Sequence, residues 1–180
     1  SALSRLRKEL FEILERHSRT NQDFQEAVKV TLGQMVARKE EAARSTRHGM
    51  AFEEAVSLFL AHECGQSGDI STPTGNVSGL ISHCKLGDCV IELGPESAAP
   101  DARIVVEAKE KENYRLSEAR QEIETARKNR DAQVGLFIYS QRTAPPELVA
   151  ASVMRHGSDV FITWDAEDPN SDLFLRTGLT

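Results

Sequence analysis

The sequence has 180 residues, of which 39% are apolar, so it is long enough for one compact domain with a helical arm but short for two full domains. The 22 basic and 28 acidic residues give a formal charge of −6, opposite to that of a protein that coats nucleic acid but compatible with an enzyme that collects a divalent cation. No run of about 18 apolar residues predicts a membrane span, and no leader pattern predicts a secretory signal. Three cysteines, Cys64, Cys84 and Cys89, are too few and too odd for a disulfide framework. We therefore expect a cytoplasmic protein with no membrane partner.

Residues 1–48 have the pattern of a helical arm. Residues 3–45 contain no proline and a single glycine, and apolar residues recur at intervals of three and four, as in a helix or coiled coil. The positions are Leu3, Leu6, Leu10, Ile13 or Leu14, Phe24, Val28, Leu32 and Met35. Polar residues such as His17, Thr20 and Thr31 interrupt this seam. The pattern predicts one long arm that forms a homo-oligomer over part of its length, or two helices joined around "HSRTNQ". The alternative is a helix packed on its own domain.

Residues 49–180 predict a single α/β domain. A helix should begin near Gly49 with Phe52, Val56 and Phe59 or Leu60 on one face, and residues 65–79, rich in Gly, Ser, Thr and Pro, predict a loop with room for one short strand. The runs "KLGDCVIELG" and "ARIVVEAKE", joined by "PESAAPD", predict a β-hairpin.

The second half of the domain alternates between helix and strand patterns. After the hairpin, "LSEARQEIETARKNRD" predicts a helix, "AQVGLFIYS" a strand, "APPELVAASVMRHG" a helix that ends at Gly157, and "DVFITW" a last strand. This order favours a mixed sheet with helices on both faces.

One strand carries an unexpected charged pair. In "VVEAKEK", Glu107 and Lys109 are two residues apart and point to the same face of the predicted strand. A hairpin loop centred between residues 97 and 98 sets Asp88 directly opposite Glu107, with roughly 5 Å between their Cβ atoms. Opposed like charges destabilise a sheet, so the pair requires a cation, either Lys109 or a bound divalent metal.

These motifs resemble a known family. "GMAFEEAV", then "GD" and "EAK", spread over residues 49–140, resemble the PD-(D/E)XK nuclease superfamily, which has the restriction-endonuclease-like fold. The helical arm ahead of this core resembles RmuC-type recombination proteins and uncharacterised bacterial coiled-coil nuclease-like families. The family's proline is replaced by Gly87. A literal Pro-Asp occurs at residues 100–101, but Asp101 lies about 20 Å along the strand from Glu107, too far to share a metal.

The resemblance implies a metal-dependent nuclease that hydrolyses DNA. Asp88 and Glu107, with the carbonyl oxygen of Ala108, would bind Mg²⁺ or Mn²⁺, and Glu53 would bind a second metal or a metal-bound water. Lys109 would orient the attacking water or offset charge at the phosphate. On the following helix Gln121, Glu118 or Arg120 would reach the site, and Gln121 is favoured as the last member of the catalytic set because families of this type often have Gln there.

Basic residues near these motifs are candidates for phosphate contacts. They are Arg44, Arg47, His48, Arg115, Arg120, Arg127, Lys128 and Arg130. The alternative is that those after residue 115 form the exposed face of a helix, paired with acids such as Glu124. Tyr114, expected at the surface, is a candidate for stacking on a base.

Two other functions stay open. The nuclease fold also occurs in inactive proteins, so the alternative is a DNA-binding or oligomerisation module without catalysis. A third possibility is a nuclease that a partner switches on.

Overall fold

The computed structural model describes residues 2–47 and 51–180, with the side chains of residues 2–35, 37 and 38 in the first helix. The chain divides into two compact units, Ser1–Thr46 and Arg47–Thr180. The helices are α1 (Ala2–Arg47), α2 (Phe52–Ser67), α3 (Leu116–Arg130), α4 (Pro146–Ala151) and α5 (Asp172–Leu179), with a 3₁₀ turn at Pro169–Ser171. The strands are β1 (Ile70–Pro73), β2 (Cys89–Glu92), β3 (Arg103–Lys109), β4 (Val134–Ser140), β5 (Val153–His156) and β6 (Asp159–Trp164). No helix in the described ranges combines the length and apolarity needed to cross a membrane.

The predicted helical arm is one continuous helix. Helix α1 has 46 residues and runs through "HSRTNQ" without a break, so of the two predicted forms the single long helix is confirmed. Its described apolar side chains are exposed, including Leu3 (81%) and Phe24 (67%). A helix gains most of its stability from burying one face, and these apolar side chains of α1 are not buried.

The second unit is built on a six-stranded mixed sheet in the order β1-β2-β3-β4-β6-β5. Strands β3, β4 and β6 are parallel, while the pairs β1/β2, β2/β3 and β5/β6 are antiparallel. The predicted α/β class, with a mixed sheet and a long N-terminal helix, is confirmed.

Helices cover both faces of this sheet, as the apolar strands predict. On one face, Phe52 and Phe59 of α2 lie 5.9 and 5.4 Å from Trp164, between ring centroids. On the other face, Phe137 of β4 packs against Phe161 and among the residues of α3. The predicted core positions of α2 are buried, as is Cys89. The three cysteines are free thiols, and Cys64 and Cys89 are buried.

The region after β4 differs from the prediction. The predicted helix ending at Gly157 stops at Ala151, and Val153–His156 forms strand β5 instead. Ser152 has a φ of 59°, which terminates the helix. His156 pairs with Asp159, which leaves a two-residue Gly-Ser turn, and Gly157 adopts the positive φ that this turn requires. Helix α5 was also not predicted.

The hairpin register follows the prediction. Cys89 pairs with Val106 and Glu92 with Arg103, so the loop is centred between residues 97 and 98, as predicted. Asp101 is exposed in the turn before β3, at the opposite end of that strand from Lys109. The choice of Asp88 over Asp101 is consistent with this register.

The segment between β1 and β2 is held by two buried residues at the end of α3. Asn129 donates to the carbonyl oxygens of Cys84 and Leu86, and its own side-chain oxygen accepts from the N–H of Ile81. Arg130 donates to four backbone carbonyl oxygens, those of Thr74, Val77, Lys85 and Leu86. These hydrogen bonds hold the backbone of this segment and thereby position the residues that lead into Asp88.

We expect Arg130→Ala to destabilise the protein by about 3 kcal/mol, because four backbone carbonyl oxygens lose their buried donor at once. The matched control is Arg155→Ala, since Arg155 is exposed and donates to the carbonyl oxygen of Gly157 alone. That change should cost less than about 0.5 kcal/mol. Denaturant unfolding of both variants measures the difference, and equal losses would contradict the anchoring role of Arg130.

Candidate active site

The charged residues singled out in the sequence meet where β3 ends and β2 begins. Glu107 and Lys109 point toward α3, on the face opposite to Val106 and Ala108, as the two-residue period predicts. Glu107 is only 4% exposed although it is a carboxylic acid. A buried acid is uncommon, so the contacts around it decide what this site can do.

Asp88 reaches the site from a bend just before β2. Its N–H donates to the carbonyl oxygen of Val106 (2.9 Å), and its Oδ2 accepts from the N–H of Ala108 (2.8 Å). Asp88 therefore lies one residue outside the regular ladder, and a side-chain hydrogen bond to the neighbouring strand holds its carboxylate. Ala108 takes part through its N–H, while the metal-binding role expected for its carbonyl oxygen stays a prediction.

Gly87 stands where the resembling family has proline. Its φ is 96°, a conformation that proline cannot adopt, and a Cβ atom there would lie 2.8 Å from both Arg130 Cγ and Val105 Cγ2. In this conformation the Gly87 N–H donates to Glu107 Oε2 (2.7 Å). The glycine thus supplies a hydrogen bond to the buried acid that a proline, having no N–H, would not.

The surroundings of Glu107 favour its neutral form. Burial, the nearby Asp88 carboxylate and a hydrogen bond shared with Glu122 raise the pKa of Glu107 from 4.5 to about 9, against the opposing effect of the Gly87 N–H. Burial also raises the pKa of Asp88, although the Ala108 N–H and Lys109 oppose this shift. Two neighbouring acids with raised pKa values indicate a site that lacks positive charge.

Lys109 is the cation nearest to these acids, and Glu122 of α3 holds it. Lys109 Nζ donates to Glu122 Oε1 (2.6 Å), and its ammonium lies 5.1 Å from the centre of the Tyr114 ring. Burial opposes the charge on Lys109, but the hydrogen bond to Glu122 and the nearby carboxylates raise its pKa above the usual value. The hydroxyl of Tyr114 also donates to Glu122. Glu122 therefore joins Lys109, Tyr114 and Glu107 into one network.

Glu53 lies on the other side of Asp88. It projects from the first turn of α2 and, with Asp88, lines a cavity of about 270 Å³ that also involves Gly75 and Val106. The charge of Glu53 contributes to the raised pKa of Asp88. Asp88 thus lies between a cavity on the α2 side and the buried network on the α3 side.

Gln121 was predicted in the catalytic set, but the structure places its neighbour Glu122 against Lys109. The Gln121 side chain is exposed. The sequence contains the signal for Glu122, which lies three residues after the buried Ala119 and four before the buried Ala126, on the inner face of α3. The local pattern places Glu122 on that face, but not against Lys109.

Several predicted phosphate contacts are engaged elsewhere. Arg127 pairs with Asp159 (2.6 Å), Lys128 pairs with Glu124 as the alternative interpretation expected, and Arg130 is buried. The side chains of Arg44, Arg47 and His48 lie outside the described residues. Tyr114 is 9% exposed and stacks on Phe137, so the expectation that it lies at the surface was wrong.

The donor set fits a magnesium site in its chemistry. Among the described residues, no group of three or more His, Cys, Asp or Glu side chains has the arrangement of a metal cage. Mg²⁺, however, is commonly bound by one or two carboxylates together with substrate phosphates and water. Asp88 and Glu107 are hard oxygen donors whose raised pKa values are of the kind that a cation would lower.

The raised pKa of Glu107 predicts how stability depends on pH. Between pH 4.5 and about 9 the folded protein holds a proton on Glu107 that the unfolded chain has lost, so the free energy of unfolding should fall as pH rises, by up to about 1.4 kcal/mol per pH unit. Glu107→Gln removes this titration and should flatten the profile, while Glu92→Gln, at an exposed acid of β2, should not. Denaturant unfolding from pH 5 to 9 measures this, and a wild-type slope matching that of Glu107→Gln would refute the prediction.

Comparison with known proteins yields no relative of this chain. No family model matches the sequence, and neither a curated protein nor a solved structure matches it. The comparisons therefore assign the chain to no family.

Proposed function

We propose that the unit Arg47–Thr180 is a metal-dependent nuclease that hydrolyses DNA phosphodiester bonds. The observation that carries the proposal is the convergence of Asp88, Glu107 and Lys109 at one edge of the sheet, from the start of β2 and the end of β3. Two hard carboxylates beside an ammonium are suited to bind a divalent cation and a phosphate together. A structural role explains the burial of these charges less well, because apolar residues would fill the same space without a desolvation penalty.

The fold supports the same proposal. Helix α2, the β2–β3 hairpin, helix α3 and strand β4 occur in the order that the resemblance to restriction-endonuclease-like proteins implies, with strand β1 between α2 and the hairpin. The candidate residues lie on the hairpin, where that resemblance puts metal ligands. We therefore propose the restriction-endonuclease-like fold for this unit together with the activity.

The residues of the site divide the work in the proposed reaction. Asp88 and Glu107 would hold Mg²⁺ or Mn²⁺, which when bound polarises a phosphate and lowers the pKa of a coordinated water. Lys109 would donate a hydrogen bond to the attacking water or to a phosphate oxygen as negative charge develops. Glu122 and Tyr114 would position the Lys109 ammonium, and Glu53 would orient water in the cavity beside Asp88.

A specific observation favours the second candidate function, a nucleic-acid-binding module without catalysis. The Lys109 ammonium is already paired with Glu122. In such a module the charges of Lys109 and Glu122 would offset each other and stabilise the fold, without a catalytic role. A nuclease that a partner switches on would start from the same paired state, and both alternatives predict no cleavage by the isolated chain.

We expect Mg²⁺ or Mn²⁺ to bind the wild-type protein and to support nicking of a plasmid. Asp88→Asn should abolish both, because it removes a charged oxygen donor. Asp101→Asn should abolish neither metal binding nor nicking. Asp101 belongs to the literal Pro-Asp pair, but it lies at the opposite end of β3 from Lys109. Calorimetric titration and a cleavage assay in the same buffer measure these effects.

Lys109→Ala should reduce cleavage at least 100-fold while leaving the protein folded, since it removes charge stabilisation rather than a metal ligand. Circular dichroism checks the fold. Cleavage that persists in both Asp88→Asn and Lys109→Ala, or that is absent from the wild type, would reject the proposed site.

We also propose that α1 mediates self-association. Its apolar residues lie on one side of the helix at coiled-coil spacing and are exposed, as at Leu6 (57%) and Leu10 (52%). A second copy of the same helix is the occupant proposed for this face, because it supplies a matching apolar seam.

The double change Leu6→Lys and Leu10→Lys should dissociate the oligomer, because it places charges in the apolar seam. Phe11→Lys is the control, since Phe11 is also exposed (65%, against 57% for Leu6 and 52% for Leu10) but lies one residue out of the seam. Light scattering gives the mass in solution. A wild-type monomer, or equal effects of both changes, would exclude self-association through this seam.

A further inference from the structure

A second, larger groove adjoins the candidate active site. It has a volume of about 1060 Å³ and lies between the segment that follows β3 and the segment that follows β4. Both segments leave the carboxyl ends of parallel strands, the edge at which open α/β sheets commonly bind ligands. Three arginines line the groove, Arg115, Arg120 and Arg142.

The Arg120 guanidinium has no hydrogen bond or ion pair among the described residues. Its Nε is covered by protein, but its terminal nitrogens are not, and Arg120 lines the groove. These terminal N–H groups can therefore bind a ligand there. Guanidinium N–H groups next to further arginines are complementary to an oxyanion, and phosphate oxygens suit the arginine fork.

Arg142 is suited to bind such an anion. Its only ion pair among the described residues, with Glu167, has a distance of 3.4 Å, and the Arg142 side chain is 62% exposed. A pair of this kind contributes little stability, so a phosphate could replace Glu167 at small cost. In contrast, Arg127 and Arg130 on α3 are committed to partners within the fold.

Tyr114 connects the groove with the active site. It lines the groove, its ring lies 5.1 Å from Lys109 Nζ, and its hydroxyl donates to Glu122. A nucleic acid strand whose scissile phosphate lies at Lys109 would therefore bring a neighbouring part of its backbone to the groove.

We propose that the groove binds a backbone phosphate of the nucleic acid strand beside the scissile phosphodiester, through Arg120 and Arg142. This inference rests on the proposed function, because it assigns the substrate of that same site. Glu112 and Glu147 also line the groove, and their negative charges oppose a phosphate. Removing the arginines should therefore weaken binding of the strand, and removing these acids should strengthen it.

The experiment measures binding of a fluorescent single-stranded oligonucleotide to the full chain in EDTA, where no metal-dependent cleavage occurs. The double change Arg120→Gln and Arg142→Gln should weaken binding about tenfold. It should also reduce the slope of log affinity against log salt by about 0.7 for each lost contact. Arg155→Gln, which removes one positive charge at an exposed residue of β5 outside the groove lining, should alter neither quantity. Glu112→Gln with Glu147→Gln should strengthen binding.

Several outcomes would overturn the proposal. They are no oligonucleotide binding by the wild type, equal effects of the double change and Arg155→Gln, and weaker binding after the two acids are neutralised. Inorganic phosphate that raises the thermal stability of the wild type, without any oligonucleotide binding, would identify a free-anion site and overturn it too. If the double variant does not fold, Arg142→Glu alone decides, because this exposed position tolerates the change.

The readouts separate this proposal from the nuclease itself. Arginine-dependent binding by a protein that does not cleave would leave the groove intact and reject the nuclease. If cleavage depends on Lys109 but oligonucleotide binding is unchanged by substitution of Arg120 and Arg142, the phosphate site in the groove is rejected and the nuclease proposal stands.

Discussion

The burial of the Glu107 carboxyl at the end of β3 is the constraint that organises the surrounding structure. A carboxyl group inside a protein needs either a proton, a cation or several hydrogen bonds, and each neighbour of Glu107 meets part of that need. Gly87 supplies an N–H, Glu122 shares a hydrogen bond, and Lys109 lies on the same face of the strand. The site is thereby rigid in its backbone but short of positive charge, which is the state that a cation and a phosphate would complete.

The scaffold that holds this arrangement comes from the far end of α3. Asn129 and Arg130 bind the carbonyl oxygens of the segment between β1 and β2, which has no regular structure of its own over residues 74–88. Irregular backbone is ordered only when its polar groups find partners. One helix therefore serves the site twice, since its first half carries Glu122 and its last turn holds the chain that delivers Gly87 and Asp88.

The charged groups of the domain lie in three neighbouring regions. The cavity beside Glu53 and Asp88 faces α2, the network around Lys109 faces α3, and the arginine-lined groove continues from Tyr114 toward the end of β4. A chain with a formal charge of −6 can still attract a polyanion locally, because Coulomb interactions between exposed groups fall off within about 10 Å in physiological salt. In the proposed function, the acidic site and the arginine-lined groove would contact the same strand at different positions.

The sequence by itself determined the parts of this protein that depend on local periodicity. The helical character of the N-terminal arm, the inward face of α2 and the common face of Glu107 and Lys109 follow from repeats of about 3.6 or 2 residues, and the hairpin register follows from the position of the turn. The residues of the hairpin turn were enough to select Asp88 over Asp101. These features need no knowledge of distant parts of the chain.

The tertiary structure decided what depends on contacts between distant segments. It placed Glu122 instead of Gln121 against Lys109, because which helix residue reaches a strand depends on how the helix packs. It engaged Arg130 with a loop more than 40 positions away in sequence, a contact that no local pattern encodes. It also ended α4 early so that β5 could pair with β6, because the sheet edge offered strand hydrogen bonds to a segment whose own pattern fitted a helix.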